Sequence, residues 1–286
     1  ARLARWRGVP VVYYICPQIW AWAPWRRRKV LRYTDLLLSI IPFEKELYSN
    51  DRVPVHYVGH PIADELSSLA QDLGEEFRSS LGISQQEKLI GIFPGSRRAE
   101  VEGLSTSFFN LLAQMKLDPD RHRIVASALR EDFRELIEDA AASHGLKIEL
   151  ISGDCRPLMK ACDLALVASG TASLELAWFE KPMLVFYKVS GLGYWLFKNF
   201  FSVTPWFTLP NILGSAANEG EVTVFEKLLR SDEELEEIVP RALELLEDER
   251  KRTEAVERLR RLKAACMTPG ANAKAAAVLS DFLASI

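Results

Sequence analysis

The 286-residue sequence has no C-x-x-C pair, no G-x-G-x-x-G turn, no Walker-type lysine motif and no long apolar run free of proline. Its four cysteines (Cys16, Cys155, Cys162, Cys266) and four histidines fall at no metal-ligand spacing. That excludes a disulfide scaffold and a zinc module, and a reduced, cytoplasmic protein is expected. Without the two glycine-rich fingerprints, NTPase and dinucleotide-binding readings lose their support. Stretches 8–25 and 199–218 carry no charge, but Pro10, Pro17 and Pro24 interrupt the first, and Pro205 and Pro210 the second. Neither reads as a spanning helix. One D-x-D, Asp118-Pro119-Asp120, lies beside Arg121 and His122 and reads as a turn. No metal or cofactor is expected.

What is present is the composition of a globular chain, 48% hydrophobic and 26% charged with net charge −3, long enough for one large or two ordinary domains. The charge is uneven: residues 1–50 hold nine Lys/Arg against three Asp/Glu. A basic front suits anionic phosphates, lipid headgroups or nucleic acid, and equally a solvated face. The sequence opens on Ala1, and 1–7 (ARLARWR) reads as the tail of a helix already under way. A start further upstream is expected.

Short apolar runs alternate with amphipathic stretches, the pattern of a parallel sheet wrapped by helices. Run 9–15 (VPVVYYI) reads as a buried strand, with 36–41 and 53–58 as the next two. After a helix-rich linker at 71–81 the pattern restarts, with strands at 89–93, 123–128, 147–151, 164–167 and 183–187. Helices are expected at 105–115, 131–142, 154–160 and 172–178, then a charged helical stretch at 232–265 and a last helix at 273–282. The expected class is α/β, with two doubly wound, Rossmann-like halves of which the first is incomplete. The halves are placed at 1–58 and 59–262, with 263–286 a C-terminal helix packing back on the first. Ligands of such sheets sit outside the carboxyl ends of the strands. Chemistry is therefore expected in loops 16–25, 59–61, 94–100 and 169–175.

Ser169-Gly170-Thr171-Ala172 follows strand LALV and opens a helix. Gly170 permits a tight turn, and the free N–H groups and dipole of a helix start suit a phosphate. Glu175, one turn on, is placed for a ribose diol. The same residues also suit a plain N-cap. Pro94-Gly95-Ser96-Arg97 with Glu100 repeats the arrangement after LIGIF, as charge-assisted diphosphate donors or as an ordinary turn. Asn211 is a polar residue placed to reach a ligand. Cys16-Pro17-Gln18-Ile19-Trp20-Ala21-Trp22, then Trp25, Arg26, Arg27, Arg28 and Lys29, suit an aromatic and basic rim for sugars, acyl chains and anionic headgroups. Core tryptophans and a solvated helix face fit the same residues. Segment 186–207, aromatic around Lys198, suits a membrane interface or a core.

Taken in order, YYICPQIWAW, IIPFEKELY, YVGHPIADEL, IFPGSRRAEVE, LVASGTASLE and FTLPNIL resemble the signature blocks of lipid-A-disaccharide synthases, over about residues 5–215. The run Val224-Phe225-Glu226-Lys227-Leu228-Leu229 departs from the family's V-P-E-x-L-Q. The resemblance implies a GT-B glycosyltransferase that moves 2,3-diacylglucosamine from its UDP donor to 2,3-diacylglucosamine 1-phosphate, with inversion and without a metal. It implies UDP binding by Gly95, Ser96, Arg97, Glu100, Ser169, Gly170, Thr171, Ala172, Glu175 and Asn211, and an acceptor side at Pro17, Trp20, Trp22 and His60. Its partners would be those two acylated sugars and an anionic membrane surface, with no nucleic acid and with an oligomer left open. Its place would be cytoplasmic, peripheral on the inner membrane of a Gram-negative-type bacterium. The family's general base, an Asp, lies upstream of the strand at 9–15. No catalytic residue is therefore assigned, and this sequence alone is expected not to turn over. The alternatives are a differently specific enzyme of UDP-N-acetylglucosamine, against which the Trp-rich block argues, and a non-catalytic UDP-sugar-binding protein.

Overall fold

The computed structural model describes residues 1–48, 53–189, 206–218 and 220–286. Two compact units result: the described residues of 1–68 with 263–286, and those of 69–194 with 206–262.

The first unit holds three parallel strands in the order β1 (Val12–Tyr14), β2 (Leu36–Ser39), β3 (Val55–Tyr57). The middle strand is buried throughout, as a parallel strand covered on both faces must be, and its sequence is accordingly LLLS. The first strand corrects the expectation of a buried run at 9–15: Tyr13 and Tyr14 are exposed. Only three residues pair, at the sheet's edge, and tyrosine tolerates such a half-exposed site because its hydroxyl can find a polar partner, as Tyr14 does in donating to Asn272 Oδ1 at 3.2 Å. A small core of Cys16, Ile19, Leu37, Tyr48 and Val53 supports the sheet. The helix Ala271–Ala284 belongs to this unit, and Asp64 caps it by accepting the N–H groups of Gly270, Ala271 (3.3 Å) and Asn272 (2.7 Å).

The second unit is a six-stranded, all-parallel sheet ordered β6-β5-β4-β7-β8-β9. Its strands are β4 (Lys88–Phe93), β5 (His122–Ala128), β6 (Glu149–Ser152), β7 (Leu164–Ala168), β8 (Met183–Lys188) and β9 (Phe225–Leu229). The pairing of β4 with β7 sets Ile90 opposite Leu164 and Phe93 opposite Val167. Burial falls from the wholly buried β7 to the partly exposed edges β6 and β9. That gradient explains LALV in the centre and Glu149, Glu226 and Lys227 at the margins. From β4 the chain winds outward through β5 to β6, returns to β7 and winds outward the other way. The order therefore reverses between β4 and β7.

Helix Arg98–Met115 covers one face of this sheet with Val101, Leu104, Phe108 and Leu112, and the Phe108 ring lies 5.4 Å from that of Phe186. At the amino ends of β4 and β7, Arg78 donates to the carbonyls of Ala161 (3.1 Å), Ser84 (2.8 Å) and Glu87 (2.6 Å) and to the Asp163 carboxylate (3.2 Å). Asp163 also accepts the Leu89 N–H at 2.8 Å, so one partly buried ion pair staples the two central strands.

Three elements differ from the sequence reading. Helix Arg98–Met115 begins well before 105, because Glu100 satisfies its first turn. Strand β9 and the helix Leu209–Ala217 were not foreseen. Of the aromatic segment at 186–207, residues 190–205 lie outside the described residues. Among the described residues, no helix is long and apolar enough to cross a membrane.

Candidate functional site

The carboxyl ends of β4 and β7 are neighbours, and each leads through a glycine turn into a helix. After β4 come Pro94 and Gly95, then helix Arg98–Met115; after β7 come Ser169 and Gly170, then helix Thr171–Trp178. The two turns frame one cavity of about 260 Å³. Gly95, Ser96 and Glu100 line one side of it, and Ser169, Gly170, Thr171, Ala172 and Glu175 the other. Its floor and far wall come from residues the sequence did not flag, chiefly Ser127, Leu129, Cys155 and Met159. Ser127 lies near the end of β5 and Leu129 just after it, while Cys155 and Met159 follow β6.

The turns differ in electrostatic state. Gly95 has φ +119°, and a Cβ there would lie 2.7 Å from Glu100 Oε2, so the backbone needs glycine twice over. The Glu100 carboxylate folds back over the turn and accepts the N–H groups of Ser96 (3.2 Å) and Arg97 (3.3 Å), while its other oxygen meets Arg97 Nη1 at 2.8 Å. An internal carboxylate thus already folds over this turn, while the N–H groups of Arg98 and Ala99 have no partner among the described residues. Arg97 is 80% exposed at its side chain and does not line the cavity.

The helix start at Thr171 has no such cap. No side chain accepts from it, and the N–H groups of Thr171 and Ala172 have no partner among the described residues. Ser173 turns its hydroxyl back to the Gly170 carbonyl at 2.7 Å. Above Gly170 the space is open, with nothing within 4 Å of a notional Cβ. Free donors at the positive end of a helix dipole, facing a cavity, are groups whose chemistry suits an anion. Glu175 lines the same cavity and lies 3.8 Å from the Arg156 guanidinium. Burial first, and then the charges of Glu175 and Asp154, push the Cys155 thiol up to about 11. It is therefore no nucleophile near neutral pH.

Asn211 corrects the sequence reading. It is 1% exposed, and its amide donates to the Val224 carbonyl (2.9 Å) and to Glu226 (2.8 Å) while accepting the Val224 N–H (2.9 Å). Glu226 in turn accepts from Phe207 N–H (3.0 Å), Thr208 N–H (3.1 Å) and Thr208 Oγ1 (2.5 Å). The pair closes the start of helix Leu209–Ala217 rather than reaching toward a ligand.

The acceptor-side candidates lie in the first unit. Trp20 is buried, with Nε1 donating to Glu44 at 2.9 Å and its ring 4.9 Å from that of Phe43, so it is a core residue and no part of an exposed rim. The Glu44 carboxyl is raised above its ordinary range by burial, against the hydrogen bonds of Trp20 and Ser39. Pro17 accepts the Tyr48 hydroxyl through its carbonyl. The side chain of Trp22 lies outside the described atoms. His60 is half-buried after β3, and its Nδ1 accepts the Ile62 N–H at 3.2 Å. Burial lowers its pKa, so near neutral pH it is an uncharged imidazole with the proton on Nε2, available to donate. Asp118 and Asp120 form a turn closed by Asp120 N–H to Asp118 Oδ1 at 3.0 Å.

Glycine turns on adjacent central strands, at the point where strand order reverses, define a doubly wound α/β protein with its ligand crevice at that reversal. The same fold is found in the S. aureus MnaA–UDP co-structure (TM-score 0.62, 16% identity, 99% of this chain and 70% of that one). It recurs in a glycosyltransferase from Rickettsia africae (TM-score 0.57, 12% identity, 98% and 72%), and the class is GT-B. The chain belongs to the lipid-A-disaccharide synthetase family, whose profile matches residues 2–280. It is 36% identical over 211 residues to the lipid-A-disaccharide synthase of Pseudoalteromonas translucida, covering 72% of this chain and 54% of that protein. To that of Pseudomonas syringae pv. tomato it is 33% identical over 255 residues, covering 89% and 65%. The chain thus spans between about half and two thirds of the length of these relatives.

Proposed function

We propose that the second unit binds the UDP-sugar donor of a lipid-A-disaccharide synthase, and that the chain is part of a glycosyltransferase acting on acylated glucosamines. The observation that carries this is the uncapped helix start at Thr171, open to a cavity at the strand-order reversal. In this reading the diphosphate takes the N–H groups of Thr171 and Ala172, and Ser96 lies across the cavity from it. Glu175 receives a sugar hydroxyl pair. The acceptor's 6-hydroxyl attacks the donor's anomeric carbon from the face opposite UDP. A new C–O bond forms as the bond to UDP breaks, the hydroxyl proton passes to a general base that is not assigned among these residues, UDP leaves with the electron pair, and the anomeric centre inverts. Backbone donors and the helix dipole stabilise the departing charge without a divalent ion. Family membership and the UDP complex of the structurally similar S. aureus protein support the choice of nucleotide.

Thr171→Pro tests this directly. Proline is well tolerated at the first helical position, where it removes an N–H that the helix does not use. UDP titrated by calorimetry should bind the wild-type chain and lose about 1–3 kcal/mol in the variant, the worth of a charge-assisted hydrogen bond. Unchanged UDP affinity in a normally folded variant would overturn the assignment.

Peripheral attachment to an anionic membrane is the companion proposal. Trp25 is 66% exposed, and Arg26, Arg28 and Lys29 are exposed beside it. Such cations near an anionic surface are worth about 1 kcal/mol each. Flotation with anionic vesicles should fall at high salt and in an Arg26→Ser, Arg28→Ser variant. Equal binding to neutral vesicles would remove this surface.

A further inference from the structure

A second cavity, of about 470 Å³, opens in the second unit at the opposite end of the sheet. Its walls are the start of β8 (Pro182, Met183), the approach to β9, and the facing sides of helices Val239–Glu247 and Glu249–Cys266. It shares no residue with the crevice at the glycine turns. The lining is mainly apolar, with Met183, Val222, Val224, Phe225, Leu245 and Leu259 its larger members.

Two guanidinium groups enter this apolar space. Arg241 is paired with Glu244 at 3.0 Å. Arg258 has no ion pair among the described residues, and its Nε is buried with no hydrogen-bond partner there. Glu221, exposed at the mouth, makes no ion pair with it. Of the three buried side-chain polar atoms without a partner among the described residues, a second lies next to Arg258 without lining the cavity. It is Oδ1 of Asn218, whose amide donates to Thr223 Oγ1 (3.0 Å) and to the Arg258 carbonyl (3.3 Å). A buried donor left unpaired costs free energy, and arginine cannot escape the cost by shedding its proton. Arg258 also lines the cavity, which is of the size that holds small molecules.

We propose that this cavity binds a small amphipathic anion, a carboxylate or phosphate headgroup on a short apolar body. The Arg258 guanidinium takes the headgroup, and Met183, Val224, Phe225 and Leu259 cover the body. The proposal is independent of UDP binding at the other end of the sheet.

Octanoate and octyl phosphate, titrated into the whole chain by calorimetry, are the probes, with 1-octanol as the uncharged control. At least one anion should bind saturably, about tenfold or more tighter than octanol, as one charge-assisted hydrogen bond requires. Which of the two binds identifies the headgroup. Saturating UDP should leave that affinity unchanged. Arg258→Gln should weaken the anion by about tenfold or more and leave octanol where it was. Val222→Trp, which fills the mouth without touching the charge, serves as a second variant and should block the anion while UDP binding persists. Octanol binding as tightly as the anions, affinity untouched by either variant, or no binding by either anion would each overturn the proposal.

Discussion

The helices that begin at Arg98 and Thr171 both follow a glycine at the carboxyl end of a central strand, yet a carboxylate folds back over the turn before the first and none over the turn before the second. Their third residues account for this. Glu100 is long enough to reach back over its own turn and accept two backbone N–H groups. Ser173 is not, and bonds the Gly170 carbonyl instead. Elsewhere the chain closes helix starts with carboxylates too, Glu226 for Leu209–Ala217 and Asp64 for Ala271–Ala284. The start at Thr171 has no side-chain cap, as the starts at Leu73 and Val239 have none, and of these it is the one that lines the crevice. The helix dipole has the same sense in all four; what differs is whether a carboxylate of the chain itself lies against it.

The largest effect that would sharpen this contrast is at the glycines. Gly95→Ala sets a Cβ 2.9 Å from the Glu100 Cβ on a positive-φ backbone and should cost about 2–4 kcal/mol in urea unfolding. Gly170→Ala meets nothing within 4 Å and should cost about 1 kcal/mol. Equal losses would dissolve the distinction between the turns. Next comes Glu226→Ala, which strands the N–H groups of Phe207 and Thr208 and the Asn211 amide, for about 2–3 kcal/mol. A neutral outcome would show that cap to be dispensable.

Glu100→Gln should cost about 1 kcal/mol of stability, the usual worth of a cap, and leave UDP affinity the same or higher. A fall in affinity would turn Glu100 from an internal anion into a ligand contact. The smallest effect belongs to Asp64. The N–H groups of Asn272, then Gly270 and Ala271, hold its carboxyl below the ordinary value of about 3.9. A depressed folded value means the stabilisation is fully present above the unfolded pKa and is lost as pH falls through the folded one. Unfolding from pH 7 to 3 should show about 1 kcal/mol of acid-sensitive stability that Asp64→Asn abolishes. An unchanged pH profile in the variant would locate that sensitivity elsewhere.

The central strands were legible because burial on both faces forces runs such as LIGIF and LALV, and their glycine turns were legible with them. Strand β9 was not: FEKLL sits at a sheet edge, where Glu226 and Lys227 are tolerated half-buried, and so it lacks the apolar signature. Asn211 and Trp20 misled for one shared reason. A polar or amphipathic side chain announces that it needs a partner, but the sequence cannot say whether that partner is a ligand or, as here, Glu226 and Glu44. The far wall of the crevice escaped notice because Leu129, Cys155 and Met159 are ordinary residues brought there only by strand order. Arg258 lies in a charged helical stretch, where a guanidinium with no ion pair among the described residues leaves no mark in the sequence beside paired ones.

The unpartnered amides of Thr171 and Ala172 also make the crevice self-reporting. A backbone hydrogen with no acceptor trades with solvent deuterons almost as freely as in an unfolded chain, although it begins a helix that is otherwise well buried. A bound oxyanion would slow that trade at these two positions and leave the Ser96 and Arg97 amides, already held by Glu100, much as they were. Occupancy could then be read from two backbone hydrogens in the unlabelled chain.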